Sequence, residues 1–171
     1  MKTAYRIVGV MGGGSARAAD TERAYALGGQ IAQHGWVLLN GGRAAGIMAA
    51  SARGAAEQGG ITVGILPDET GAGASEHLQI PILTGMGSGR NIINVLSSHV
   101  VVACPGGPGT ISEIALALKY GKTVILLNFD IGELFAEYRR RGRLLHAATA
   151  EEAVMHIQSV FDDSSPGHAP R

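Results

Sequence analysis

Two charged side chains and a set of glycine-rich loops carry the chemistry this sequence can offer. Arg90 follows Gly87-Ser88-Gly89 and opens a helix. A guanidinium in that position can pair with a phosphate through two parallel hydrogen bonds. Glu113 closes the run Pro105-Gly106-Gly107-Pro108-Gly109-Thr110-Ile111-Ser112-Glu113. Two roles are open to it. It can complete a capping box with Thr110, three residues earlier. Or it can face a crevice as a carboxylate beside a sugar or amine, where it would stabilise positive charge growing at a ribose C1′. Thr110 reads as the cap of the helix, and its hydroxyl is also a possible donor to a phosphate. Glycines let the backbone come close to a ligand, and the free N–H groups of a helix's first turn point at it.

These residues must be positioned by the elements around them. His99 to Ala103 is a β-branched apolar run, the pattern of a strand buried on both faces. The same logic places strands at Tyr5–Met11, Trp36–Leu39, Ile61–Leu66, Ile80–Leu83, Thr123–Asn128 and Leu144–Ala147. Helices are expected from near Asp20 to Gly35, from after Gly42 to about Gln58, from Arg90 to about Ser98, from Thr110, over Ile131–Arg140 and over Glu151–Phe161. Ala24, Leu27 and Ile31 mark the buried face of the first helix. Pro67 to Gln79 reads as a surface loop. Strand and helix alternate throughout, so the expected fold is α/β: a Rossmann-like open parallel sheet with helices on both faces, a single domain over residues 1–161. Asp162 to Arg171, polar and rich in Pro and Ser, reads as a disordered tail.

Topology then gathers the glycines. Gly12-Gly13-Gly14-Ser15, Gly41-Gly42, Gly85 to Gly89 (with Gly87 and Ser88) and Gly106-Gly107 with Gly109 all follow expected strands. In a parallel sheet they share the carboxyl edge, where such folds bind ligands. Together with Arg90, Asn91, Thr110 and Glu113 they predict a backbone-lined crevice for a ligand with phosphates. It is not an NAD site of the usual form, because Gly9-Val10-Met11-Gly12-Gly13-Gly14 does not fit G-x-G-x-x-G and Asn40 stands where a ribose-binding acid is expected. No G-K-[ST] occurs, so it is no P-loop. Pyridoxal phosphate needs a Schiff-base lysine, and neither Lys2, Lys119 nor Lys122 follows a strand at the carboxyl edge.

Composition bounds the rest. The chain has 171 residues, 46% hydrophobic and 16% charged, with formal charge +0. That is one globular domain with a substantial core, and nothing in it suggests a chain that wraps nucleic acid. Arg139-Arg140-Arg141 reads as a solvated helix end. Cys104 is the one cysteine, read as a small buried hydrophobe on a strand. The six histidines show no metal spacing, so no metal site is expected, and His99 reads as structural. Met11, Met48 and Met86 read as gap fillers. With no signal-peptide anatomy and no membrane-length apolar run, the expected location is the cytoplasm.

The residues from Pro105 to Glu113 match P-G-G-x-G-T-x-x-E, the signature of the LOG superfamily, whose members were long labelled possible lysine decarboxylases. Met86-Gly87-Ser88-Gly89-Arg90 resembles its second signature, M-x-x-R-K, with one more residue before the arginine. The resemblance spans roughly residues 5 to 160. It implies that Arg90 and Glu113 would be the catalytic pair if the chain cleaves the N-glycosidic bond of nucleoside 5′-monophosphates. Asn91 stands where those enzymes carry the lysine, and Leu116 where they carry a further glutamate. Over its length the chain is more similar to the branch related to molybdenum cofactor carrier proteins, also labelled DprA/Smf-related. The opening Val8-Gly9-Val10-Met11-Gly12-Gly13-Gly14-Ser15 and the stretch from Gly87 to Asn94 carry that likeness. It implies binding of the molybdenum cofactor, a phosphorylated pterin, or of a nucleotide monophosphate, with no bond cleavage. It also implies a homodimer or homotetramer, and the alanine-rich helix faces are expected to pack against a symmetry mate.

Overall fold

The computed structural model describes residues 5–163. Seven strands form one sheet, in the order β4-β3-β2-β1-β5-β6-β7, and every neighbouring pair is parallel. They are β1 Ile7–Met11, β2 Val37–Asn40, β3 Thr62–Leu66, β4 Ile80–Leu83, β5 Val100–Ala103, β6 Val124–Leu127 and β7 Leu144–Ala147. The chain steps outward from β1 to β4, then returns to lay β5 beside β1, with Val8 opposite both Leu38 and Val100. The strand order therefore reverses between β1 and β5.

Helices cover both faces, and alternation along the strands separates two cores. Val100, Val102 and Cys104 point to the core shared with α1 (Ala18–Gln33), α2 (Gly46–Glu57) and α6 (Ala150–Asp163). Val101 and Ala103 point to the core shared with α3 (Asn91–Ser97) and α4 (Pro108–Lys119), with Phe135 and Tyr138 beside α5 (Ala136–Arg140). His99 is structural in the sense expected, because its Nδ1 accepts the N–H of Ile7 at 3.0 Å.

Several boundaries differ from expectation, each for a local reason. α1 starts at Ala18, ahead of Asp20, and buries Asp20 with Ala24, Leu27 and Ile31. α5 begins only at Ala136, because Gly132 and Phe135 are left-handed and Gly132 N–H turns back to Asp130 Oδ1 at 2.8 Å. α6 runs on through Asp163, so the expected tail loses its first two residues to the helix; the remainder of that expectation falls outside the described residues. Part of the small-residue surface faces inward, while Ala18, Ala19 and Ala26 of α1 are exposed. A Cβ on Gly28 would lie 2.1 Å from Ser51 O, and one on Gly54 2.0 Å from Tyr25 O, so α1 and α2 pack closely against each other through them. β4 is the exposed edge: all four of its residues are open, among them Ile80, Ile82 and Leu83. No helix among the described residues is long and apolar enough to cross a membrane.

Candidate functional site

A crevice of about 230 Å³ opens at the carboxyl ends of β1, β2 and β5, beside the reversal of strand order. Ligands of open α/β sheets bind at such a switch point. Three loops and the start of α3 build it.

The β1 loop contributes Gly12, Gly13 and Gly14 to the wall. It is tied on both sides: Gly13 N–H donates to Pro105 O at 3.0 Å, and Gly13 O accepts Ile47 N–H at 3.0 Å. The loops after β1 and β5 and the first turn of α2 thus form one rigid unit. Ser15, in contrast, is exposed and does not line the crevice.

At the end of β2, Gly41 lines the crevice and Gly42 does not. Gly42 is buried with φ +79, and Asn40 Oδ1 accepts its N–H at 2.8 Å. Asn40 is fully buried and donates Nδ2 to Met48 O at 2.9 Å and Ser51 Oγ at 3.1 Å. The residue in the usual ribose-binding position is therefore a clamp between β2 and α2. It sets Met48 into the crevice wall, a role beyond gap filling.

Gly87 and Ser88 lie in an exposed 3₁₀ turn and line nothing; the turn delivers Arg90 and Asn91, which do line the crevice. Arg90 passes over Gly41, where a Cβ would sit 2.7 Å from its Nη2, so only glycine admits the guanidinium there. Asn91 Oδ1 accepts from Arg90 Nη1 at 2.8 Å. A lysine in place of Asn91 has no acceptor with which to do this.

After β5, Gly107, Gly109, Thr110 and Glu113 face the crevice, while Gly106 sits behind them. A Cβ on Gly106 would fall 2.1 Å from Thr110 Oγ1 and 2.8 Å from Gly13 N, so this glycine permits a close approach of loops. The capping expectation is overturned. Gly107 is the N-cap and Pro108 occupies the first helical position; no side chain caps the helix. Proline suits that position because it has no N–H to leave unpaired and its φ is already helical. Thr110 and Glu113 are helix residues, both buried, and no capping box forms. The N–H groups of Gly109 and Thr110, in the first turn, have no intrahelical partner and point outward along the helix axis.

Glu113 meets Arg90 across the crevice wall: Arg90 Nη1 lies 3.6 Å from Glu113 Oε1, with both side chains nearly buried. Burial pushes the Glu113 carboxyl above the usual range, while a hydrogen bond from Asn94 and the charge of Arg90 pull it back. Burial likewise lowers the Arg90 pKa, against the pull of Glu113, though a guanidinium stays charged at neutral pH. Arg90 Nε is buried with no hydrogen-bond partner. Leu116, half-buried, packs against the core under α4 and does not line the crevice.

The lining residues not anticipated are Val10, Met11, Met48 and Pro108, and Asn94 braces Glu113 from behind. One signal marks Asn94 in the sequence: a polar residue recurring three after Asn91, on the same face of an otherwise apolar helix.

The likeness to known proteins covers this whole arrangement. The solved structure of the molybdenum cofactor binding protein from the phototrophic bacterium Rippkaea orientalis superimposes with TM-score 0.89 at 46% identity, covering 94% of this chain and 99% of that one. The molybdenum cofactor carrier protein from Chlamydomonas reinhardtii gives TM-score 0.85 at 42% identity, covering 92% and 99%. An uncharacterised protein of Archaeoglobus fulgidus is 46% identical over 120 residues, 70% of this chain and 78% of that protein. The two solved structures share the fold as well as the sequence. Residues 5–154, which hold every loop of the crevice, match the model of the SLOG cluster4 family, and the chain belongs to that family.

Proposed function

We propose that the crevice binds a phosphate-bearing small molecule and that the molybdenum cofactor is the ligand it serves, held and carried without bond cleavage. One observation carries this reading: the uncapped first turn of α4 and the guanidinium of Arg90 converge on a wall of glycine backbone. A phosphate there meets backbone donors, the positive end of a helix dipole and a charged fork. The residues fit the phosphate of a pterin cofactor on two further grounds. A Cβ on Gly107 or Gly109 would meet nothing within 4 Å, so the space in front of these glycines is open to a ligand. Arg90, whose Nε is a buried donor with no hydrogen-bond partner among the described residues, lines the same crevice. The similarity to proteins described as binding or carrying this cofactor supports the choice over a nucleotide monophosphate.

Mass spectrometry of the small molecules that co-purify with the protein tests the reading. A phosphorylated pterin is expected. A nucleotide monophosphate in its place would move the assignment to that ligand, and no phosphate ester at any occupancy would refute it.

We further propose a homo-oligomer built on a dimer. The support is the uncovered edge strand β4, with Ile80, Ile82 and Leu83 open, and the exposed side chains of Met86 and Leu96. Edges and apolar surface of this kind are normally covered. Light scattering giving a monomer at micromolar concentration would refute it.

A further inference from the structure

Glu113 is gripped through one oxygen. Asn94 of α3 is wholly buried, and its Nδ2 donates to Glu113 Oε1 at 2.8 Å. Arg90 Nη1 approaches that same oxygen, at 3.6 Å. Among the described residues Glu113 Oε2 has no hydrogen-bond partner, yet it is not one of the buried orphaned atoms. It is open on the side of the crevice that Glu113 lines.

The other end of the Asn94 amide is informative. Its Oδ1 is buried with no partner, a costly state for a carbonyl. A flipped amide would direct Oδ1 at Glu113, and only a protonated carboxyl could donate to it. The orientation observed, with Nδ2 toward Oε1, is the one that serves an ionised Glu113. The charged groups around the pair are Arg90 and, acting on Arg90, the ion pair of Arg43 with Asp68 at 3.2 Å.

We propose that Asn94 is the positioning residue of this crevice: its Nδ2 pins Oε1 of Glu113 and so presents Oε2 as an acceptor for a hydroxyl or N–H group on a phosphate ester. The proposal rests on the reading of the crevice as a phosphate site, and it narrows the ligand. Thr110 and Glu113 are three residues apart on α4, a rise of ~4.5 Å between their Cα atoms along the axis, so the acceptor and the phosphate seat are separate points of the crevice. The ligand must carry its donor on a group beyond its phosphate. A sugar phosphate or a pterin phosphate has the reach, and inorganic phosphate does not.

The test has two arms. In the first, carboxyl-carbon NMR titrates Glu113 in the free protein labelled at its glutamates, with Glu113→Gln giving the assignment. Asn94→Leu is expected to raise the Glu113 midpoint, because it removes the hydrogen bond that favours the ionised form. Asn94→Asp, nearly isosteric, is expected to raise it too, by placing a second carboxyl alongside, and it reports should Asn94→Leu not fold. An unchanged midpoint in the variants that fold overturns the proposal. In the second arm, ribose 5-phosphate and inorganic phosphate are titrated by calorimetry. The ratio of their affinities is expected to fall about tenfold in Asn94→Leu, the worth of one hydrogen bond to a charged group. An unchanged ratio overturns the proposal. Failure of both probes to bind the wild type refutes the phosphate site instead, and the titration of the free protein still decides for or against Asn94.

Discussion

Gly107→Val separates binding from folding. The residue is exposed at the N-cap of α4, with φ −93 and ψ −155, in the extended region rather than the left-handed one. A Cβ there would meet no heavy atom within 4 Å. The cost to the fold is therefore that of a poor N-cap, about 1 kcal/mol. For a chain of this length that lowers the Tm by about 2–4 °C. The cost to binding is larger, because the branched side chain stands in front of the Gly109 and Thr110 N–H groups. A hydrogen bond to a charged group contributes about 1.5–3 kcal/mol, so loss of two weakens binding by roughly 10²–10⁴-fold. Calorimetry with AMP, and retention of the co-purifying ligand, measure the second effect; a thermal melt measures the first. Gly106→Ala is the contrast: its Cβ would lie 2.8 Å from the backbone nitrogen of Gly13, so a smaller change destabilises the loops themselves. If Gly107→Val binds as tightly as the wild type, the glycine loop is only a turn and the phosphate seat lies elsewhere.

Asp20 is buried in the first turn of α1, held by Arg17 Nε at 2.8 Å, and that bond lowers its pKa, against the cost of burial. A carboxyl whose folded pKa is depressed gives stability present above its unfolded pKa and lost as pH falls through the folded one; Asp20→Asn should therefore lower the Tm at pH 7, with the gap closing below about pH 4, and a gap independent of pH would refute the role. Burial pushes the Cys104 thiol up to about 12, so native protein should resist a disulfide reagent at pH 8 and react only as it unfolds. Incubation with AMP should release little or no adenine by chromatography, since loss of one positioned acid–base group lowers a rate by about 10²–10⁴-fold; robust release, abolished in Glu113→Gln, would make the chain a phosphoribohydrolase.

Much of this fold was legible because alternation and apolar runs report on burial directly. Val100 to Ala103 reads as a two-faced strand, and it is one, with alternate residues in the two cores. The gathering of glycines at one edge followed from the parallel sheet alone. What misled was competition between local signals. Thr110 and Glu113 have the spacing of a capping box, but Pro108 at the first helical position outranks them and starts the helix earlier. The buried clamp of Asn40 and the brace of Asn94 depend on what lies across from them in space, and spacing along the chain does not carry that. Gly42, Gly87 and Ser88 share the loops of the lining residues, yet they serve the turns that deliver Gly41 and Arg90. The alanine-rich faces look adhesive in sequence. Part of that surface is used within the chain, where α1 stacks on α2 through Gly28 and Gly54.

The chemistry available in the crevice bears on carrying against cleaving. Among the described residues Arg90 and Glu113 are the only titratable side chains that line it, and each already faces the other at 3.6 Å. Cleavage of an N-glycosidic bond needs a carboxylate near the developing ribose cation and a proton for the departing base. Glu113 can supply one of these at a time. Its Oε1 is already engaged by Asn94 and Arg90, which offset only part of the rise that burial gives its pKa, so this one carboxyl would have to serve as acid and as carboxylate in the same step. Asn91, in contact with Arg90, is an amide with no proton to give. Leu116 is turned to the core. Holding a phosphate requires none of these steps: the backbone donors of α4 are fixed before the ligand arrives, and the Arg90–Glu113 pair can stay intact while it binds. A crevice whose donors are mostly backbone and whose charges are mutually compensated stabilises a bound ground state without favouring a transition state over it, and that is the condition for a carrier.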